Sequence, residues 1–496
     1  MDLTKKAPAK RLCRKFQYPG TRVLFFLITS LSLGFLVGAF WQIKDELDPK
    51  KRHLDNWDTK YAQRKFHLHP FKQKVREGLG QLEEEVHGIS KEHGYTLVKE
   101  ATPKTNVAEE RHEQQLTLKR LTATEKCPAC FGESLCRQVD AGAITVDVAN
   151  KKLEHKGVYF GLFKDTNIVA KRLAGSFEWV KFDEFICQNA SVPGNCDVSK
   201  MISKTTLVAD DALQLSWLRE AWRIAHTDGQ IALESCMTDK LIEELKKAYG
   251  QNVNGQLGKT EQAYMITSLL MNPEATVLTY FTTRSERKWP FPKYLGACGR
   301  VIFVENGGKL LDSSLASTWK DRANIALQLL NMIDTFRNGD PEWIVIFLDF
   351  RYENFAIDQY GRLNLIDFDE VMLIDREESG DGEKKESCNM EDLKTFVSEI
   401  DKDDFCFQVP QYSQMMYALA CVRLLSFLPE HLLKSLSDRH RSPEHVRPPG
   451  LLWGPPEHEA TAIEALLRGC AEEKVAGGRL EAIEKLKAVL QRTLIL

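Results

Sequence analysis

The sequence predicts an α+β fold in two lobes, the first rich in strands and the second helical, behind an N-terminal transmembrane helix and a stem. Three observations carry this expectation. Residues 348–370, LDFRYENFAIDQYGRLNLIDFDE, place Asp349 five positions before Asn354 and Asp367 thirteen positions after it. Upstream, three alternating runs end in Lys171 on an apolar strand. At the start of the chain, seven basic residues between Lys5 and Arg22 precede an uncharged apolar run from Val23 to Phe40.

The spacing within 348–370 is that of a protein-kinase catalytic loop, Asp-x-x-x-x-Asn, followed by a hairpin and a metal-binding Asp-Phe-Gly, here Asp367-Phe368-Asp369. Phe355-Ala356-Ile357 and Leu363-Asn364-Leu365-Ile366 read as strands, joined through Asp358-Gln359-Tyr360-Gly361, whose glycine can take the left-handed turn position. Pairing them draws together the residue before the first strand and the residue after the second. Asn354 and Asp367 then offer oxygen ligands to one Mg²⁺, and Asp349 can accept the proton of an incoming hydroxyl. The competing reading is a polar hairpin whose Asp and Asn residues serve only turns and caps.

The 496 residues allow three domains or one large domain with appendages. A hydrophobic content of 43% beside 28% charged residues supports a sizeable globular core. The net charge of −3 leaves no nucleic-acid footprint, so no nucleic acid is expected as a partner. Eighteen apolar residues at 1.5 Å each span about 27 Å, enough for a thin bilayer. The positive-inside rule keeps the basic tail (1–22) in the cytosol, makes 23–41 a type II signal-anchor and sends the rest to the lumen. A leader cut after Val37-Gly38-Ala39, with secretion following, is the main competitor, and a buried soluble helix the third.

Topology sets the redox context. Of 12 cysteines only Cys13 precedes the anchor, so Cys127, Cys130, Cys136, Cys187, Cys196, Cys236, Cys298, Cys388, Cys406, Cys421 and Cys470 face an oxidising lumen as disulfide candidates. Their odd number leaves one thiol free or paired with another chain. Asn189-Ala190-Ser191 is a glycosylation sequon in that compartment. Residues 42–122, rich in Lys, Glu, His and Gln and without cysteine, read as a stem. The body opens with Cys127-Pro128-Ala129-Cys130, which can be a redox pair, half a zinc site or structural disulfide material; the lumen favours the last.

Residues 123–308 read as the first lobe. Ala143 to Val148, Val158 to Phe163 and Asn167 to Leu173 are strand-like, and Lys171 is positioned to hold nucleotide phosphates, against the common fate of a strand lysine reaching solvent. Gly157 and Gly161 stand where a glycine-rich loop belongs, without its full motif. Phe182 to Tyr249 reads as a disulfide-tied helical insertion. Thr260 to Leu270 reads as a capped helix ending at Asn272-Pro273, with Glu261 as partner for Lys171 and Glu178 as the alternative. Thr276 to Phe281 and Val301 to Val304 read as β-rich, the second leading into Glu305-Asn306-Gly307-Gly308, a hinge-like turn whose backbone can meet an adenine edge. Residues 309–496 form the second lobe, with Ser317 capping a helix that carries Ile325, Leu329, Ile333 and Phe336 on one face. Amphipathic helices around 417–428 and 479–496 complete it.

CPACFGESLCR (127–137), WPFPKYLGACGR (289–300) and 348–370 together resemble the divergent protein kinase domain family of the secretory pathway, in particular its deleted-in-autism branch, over residues 125–496. The resemblance implies a protein-kinase-like fold, ATP with Mg²⁺ or Mn²⁺ as cofactor, residence in the Golgi or endoplasmic reticulum membrane or secretion, and a luminal or secreted protein as substrate or partner. Family members are discussed as kinases and as signalling or trafficking factors, so phosphotransfer and a pseudokinase binding role both stand open. Departures bear on that choice. Phe347-Leu348 replaces the His-Arg before the catalytic Asp, and no Ala-Pro-Glu follows the polar segment 376–392. Asp369 replaces a glycine, adding a carboxylate that can bind a second cation or repel phosphates.

Overall fold

Strands form where the first lobe alternates. In this computed structural model, Ile144–Val146 (β1), Gly157–Phe163 (β2), Thr166–Arg172 (β3), Tyr294–Cys298 (β4) and Val301–Glu305 (β5) make one antiparallel sheet in the order β1-β2-β3-β5-β4. Lys164 and Asp165, both at positive φ, join β2 to β3 in the two-residue turn whose twist suits a hairpin. The structure describes residues 116–148, 154–192, 194, 196–209, 218, 236–250, 254, 256–284, 289–377, 413–427, 449–475 and 477–495. The anchor expected at 23–41 lies outside them. Among the described residues no helix is long and apolar enough to cross a membrane.

One face of the sheet buries Ile144, Val146, Tyr159, Ile168, Ala170 and Phe303 against Leu118, Leu121, Leu135 and Val139. Leu118 and Leu121, assigned to the stem from sequence, are therefore core residues. Cys136–Asp140 forms a short helix (α1), and the two cysteine-bearing motifs wrap each other beside it. Phe131 N–H donates to the Gly299 carbonyl at 2.9 Å, Gly299 N–H returns to Gly132 at 2.8 Å, and Cys136 is bonded to Cys298. Gly299 has φ +60°, and a Cβ there would stand 1.9 Å from the Thr122 carbonyl oxygen, so only glycine fits. Arg300 is buried, pairs with Asp183, donates to the Ala129 carbonyl and lies 4.1 Å over the Trp179 ring.

Asp183 and Trp179 belong to Ser176–Asn189 (α2), whose end is tied by the Cys187–Cys196 disulfide. Asp239–Ala248 (α3) and Lys259–Met271 (α4) follow, and Cys236 is also disulfide-bonded, so the inserted region is helical and cross-linked as expected where it is described. Residues 276–281, expected to be β-rich, are instead helical, within Glu274–Thr283 (α5). The β-branched and aromatic residues there are outweighed by the start signal: Pro273 opens the turn and the Asn272 side chain accepts the Glu274 N–H at 2.9 Å. β4, a strand the sequence reading did not assign, supplies the sheet edge that meets α1.

The second lobe is built on Trp319–Asn338 (α6), capped by Thr318, one residue later than the expected Ser317. Lys309–Leu310 (β6), Phe355–Ile357 (β8) and Leu363–Leu365 (β9) form one small sheet; Trp343–Phe347 (β7) pairs with Val371–Asp375 (β10). Met415–Ala420 (α7), Glu457–Ala471 (α8) and Gly478–Ile495 (α9) pack with α6, and Cys421–Cys470 joins the end of α7 to α8. Cys388 and Cys406 lie outside the described residues. Cys127 and Cys130 are bonded to each other, which rules out the zinc reading for that pair.

Candidate functional site

Lys171 on β3 donates to Glu274 Oε1 at 2.5 Å and to the carbonyl of Ile366 at 2.5 Å. Glu274 is the lysine's partner, and the expected Glu261 is not: it sits in the first turn of α4. Glu178 caps the Gly175 N–H and pairs with Lys156 at 3.3 Å. Reading 276–281 as strand removed from view the helix that carries the right glutamate. Burial pushes Glu274 up to about 7 against the pull of Lys171, and the charges of Asp367 and Asp369 add to the rise.

Ile366 immediately precedes Asp367, so the lysine reaches the end of the hairpin. β8 and β9 pair from Phe355↔Leu365 to Ile357↔Leu363, and Ile366 N–H donates to the Asn354 carbonyl at 2.9 Å. Asn354 and the Asp367 segment therefore converge, as the spacing predicts. The turn is held by Asp358, which accepts the N–H groups of Tyr360 and Arg362, with Gly361 at φ +75°. Phe368 is fully buried with its ring edge-on to Phe291 at 4.8 Å.

Asp349 and Asn354 are both buried. Asn354 Nδ2 donates to Asp349 Oδ2 at 2.7 Å, and Arg351 Nε reaches the same oxygen at 2.8 Å with Nη2 beside it. Arg351 is a residue the sequence reading passed over; its position two after Asp349 was the available signal. Glu370 is another. Burial, then the charges of Asp349 and Asp369, push its carboxyl up to about 7. Burial and then Asp367 raise Asp369 as well.

The strand register places Val158, Phe160 and Leu162 opposite Lys171, Val169 and Asn167, on the lysine's face of the sheet. They are 47%, 54% and 50% exposed and form an apolar strip beside the lysine. The hinge-like turn is less open than its sequence suggests. Glu305 N–H donates to Lys293, Asn306 N–H to Asn167, and Gly308 N–H to its neighbour Asn306 Oδ1. A cavity of about 1110 Å³ does border Glu305–Gly308, with Trp289, Phe291 and Tyr360, but Lys171, Asp349, Asn354 and Asp367 do not line it. The Lys171–Glu274 ion pair thus lies outside the lining of this cavity. Asn189 ends α2 and accepts from Thr206 at 3.2 Å.

Residues 266–473 match the model described as the protein-kinase domain of FAM69. That span holds Glu274, Asp349, Asn354 and Asp367. The chain is 29% identical to divergent protein kinase domain 2A of Homo sapiens, over 76% of this chain and 88% of that protein. The chain is thus similar to the divergent protein kinases over most of its described body. Divergent protein kinase domain 2B of Mus musculus is 24% identical over 62% of this chain and 72% of its own length. A solved structure, the complex of Rv3197 with erythromycin from Mycobacterium tuberculosis, overlaps 77% of this chain and 83% of its own at a TM-score of 0.26 and 12% identity, and carries no argument.

The donor set at this site suits a metal–nucleotide pair. Burial, and then the charges of Asp349 and Asp367, raise the protonation of Asp369 and Glu370, a repulsion that a divalent cation relieves. Among the described residues no three His, Cys, Asp or Glu side chains form a complete cage. Mg²⁺ does not need one, since it is held by one or two carboxylates together with phosphates and water.

Proposed function

We propose that this protein is a divergent kinase, anchored in a membrane of the secretory pathway, that transfers phosphate from ATP to a hydroxyl of a luminal or secreted protein. The observation that supports this most is the buried Lys171–Glu274 ion pair with Lys171 on the carbonyl before Asp367, the lysine–glutamate pair that phosphoryl transfer requires. ATP with Mg²⁺ or Mn²⁺ supplies the phosphoryl group when bound. Asn354 and Asp367 would hold the cation, with Asp369 as an added carboxylate. Lys171 neutralises phosphate charge, and the strip of Val158, Phe160 and Leu162 gives an apolar surface for the base. Asp349 accepts the proton of the acceptor hydroxyl, with Asn354 fixing its carboxylate. Arg351 brings a cation to the same place.

Binding of Mg-ATP by the purified full chain, followed by thermal shift, tests the reading beside phosphate transfer to a luminal protein extract. Wild type is expected to bind and transfer; Asp367→Ala is expected to lose both. Absence of both in wild type sinks it.

A second reading is favoured by one observation. Asp349 Oδ2 is occupied by Arg351 and Asn354, and three hinge N–H groups are already used, as in a pseudokinase that works as a luminal or secreted signalling and trafficking module. Turnover that disappears in Asp349→Asn excludes this alternative.

A further inference from the structure

The four described disulfides with known partners do different work. Cys136–Cys298, Cys421–Cys470 and Cys187–Cys196 close sequence separations of 162, 49 and 9, whereas Cys127–Cys130 closes a separation of 3. Stabilisation by a cross-link grows with the loop that it closes, so this last bridge constrains the unfolded chain least. Backbone contacts hold the same segment beside it. Cys127 N–H donates to Thr124, Ala129 N–H to Lys126 and Phe131 N–H to Gly299, and Arg300 holds the Ala129 carbonyl at 3.3 Å. None of these contacts runs through the sulfur–sulfur bond.

Its two sulfurs also differ. Cys127 is partly exposed, while Cys130 is fully buried with Sγ 3.9 Å from the Gly132 carbonyl. One cysteine can be reached from solvent and the other sits behind it, the asymmetry that a Cys-x-x-Cys pair uses in exchange with another dithiol. Nothing in the phosphate site employs this pair.

We propose that Cys127–Cys130 is a thiol–disulfide exchange site whose substrate is a dithiol of a partner protein. A thiolate of that dithiol attacks Cys127 Sγ, forming a mixed disulfide while the Cys127–Cys130 bond breaks and Cys130 leaves as a thiolate that takes up a proton. The second thiol of the partner, after losing its proton, attacks the partner sulfur of the mixed disulfide and releases Cys127, which is protonated in turn. Two electrons and two protons pass to the pair, and the partner leaves as a disulfide.

The test uses the full chain titrated with dithiothreitol as the probe dithiol. Free thiols are blocked with N-ethylmaleimide and located by peptide mass spectrometry. Cys127 and Cys130 are expected to open together at about tenfold less reductant than Cys136, Cys298, Cys187, Cys196, Cys421 and Cys470, with the melting midpoint unchanged. Opening only in step with the other bridges, or only as the protein unfolds, overturns the proposal. Cys130→Ser and Cys127→Ser chains are then exposed to glutathione disulfide. A glutathione adduct on Cys127 in the first, with none on Cys130 in the second, is expected; an adduct on neither, or on Cys130 alone, counts against it. Should either variant melt far below wild type, the reductant titration of the native chain decides alone.

Discussion

The wrapped cysteine motifs of the first lobe and the loop around Asp349 answer opposite demands. The first region joins residues from 122 to 300 by a disulfide, exchanged backbone bonds and a buried arginine. The second gathers Asp349, Asp367, Asp369 and Glu370 at a distance that raises the protonation of two of them. One region is organised for rigidity; the other concentrates negative charge that Arg351 offsets at Asp349. The motifs that distinguish the sequence most are therefore scaffold, and the degenerate-looking ones gather the charge.

That contrast is best broken at Arg300. Arg300→Ala empties a buried space against Trp179 and leaves the partly buried Asp183 with Lys126 as its remaining cation, and it is expected to destabilise the fold by about 3 kcal/mol, read from denaturant unfolding. A loss under about 1 kcal/mol would mean that the motif is not scaffold. Gly299→Ala follows, with roughly 1–3 kcal/mol from the left-handed backbone and more from the overlap with Thr122, measured in the same way.

Legibility from sequence divides along the same line. The hairpin was readable because its determinants are local: Asp358 and Gly361 fix the turn, and alternation fixes the strands. Lys171 was readable from the strand that bears it. Glu274 was not, because Thr276, Val277 and Phe281 carry strand preference while the packing of α5 against the sheet decides otherwise. The self-bonded Cys127–Cys130 pair and the core role of Leu118 and Leu121 were hidden for a related reason, since each depends on chain that returns from around residue 299.

Within the site the expected stability effects are smaller and more discriminating. Glu274 has a folded pKa near 7, above its unfolded value, so its contribution is fully present below about pH 4.5 and is lost as pH rises through 7. Glu274→Gln lacks this titration. Its stability relative to wild type should rise from pH 5 to pH 8, measured by melting; a fall would show that the Lys171 pair outweighs burial. The smallest change in stability is expected of Arg351→Ala, within about 1 kcal/mol because that side chain is more than half exposed. Any phosphate transfer should nevertheless drop by about tenfold or more, the loss of one charge-assisted contact. Equal activity would remove Arg351 from the site.

The bond from Lys171 to the Ile366 carbonyl has a consequence for selectivity. An anionic ligand that recruits this lysine must first draw it off a backbone oxygen, and a ligand with little charge gains nothing by doing so. Affinity should then climb steeply from adenosine through ADP to ATP, making the count of phosphates, more than the identity of the base, what the cleft discriminates.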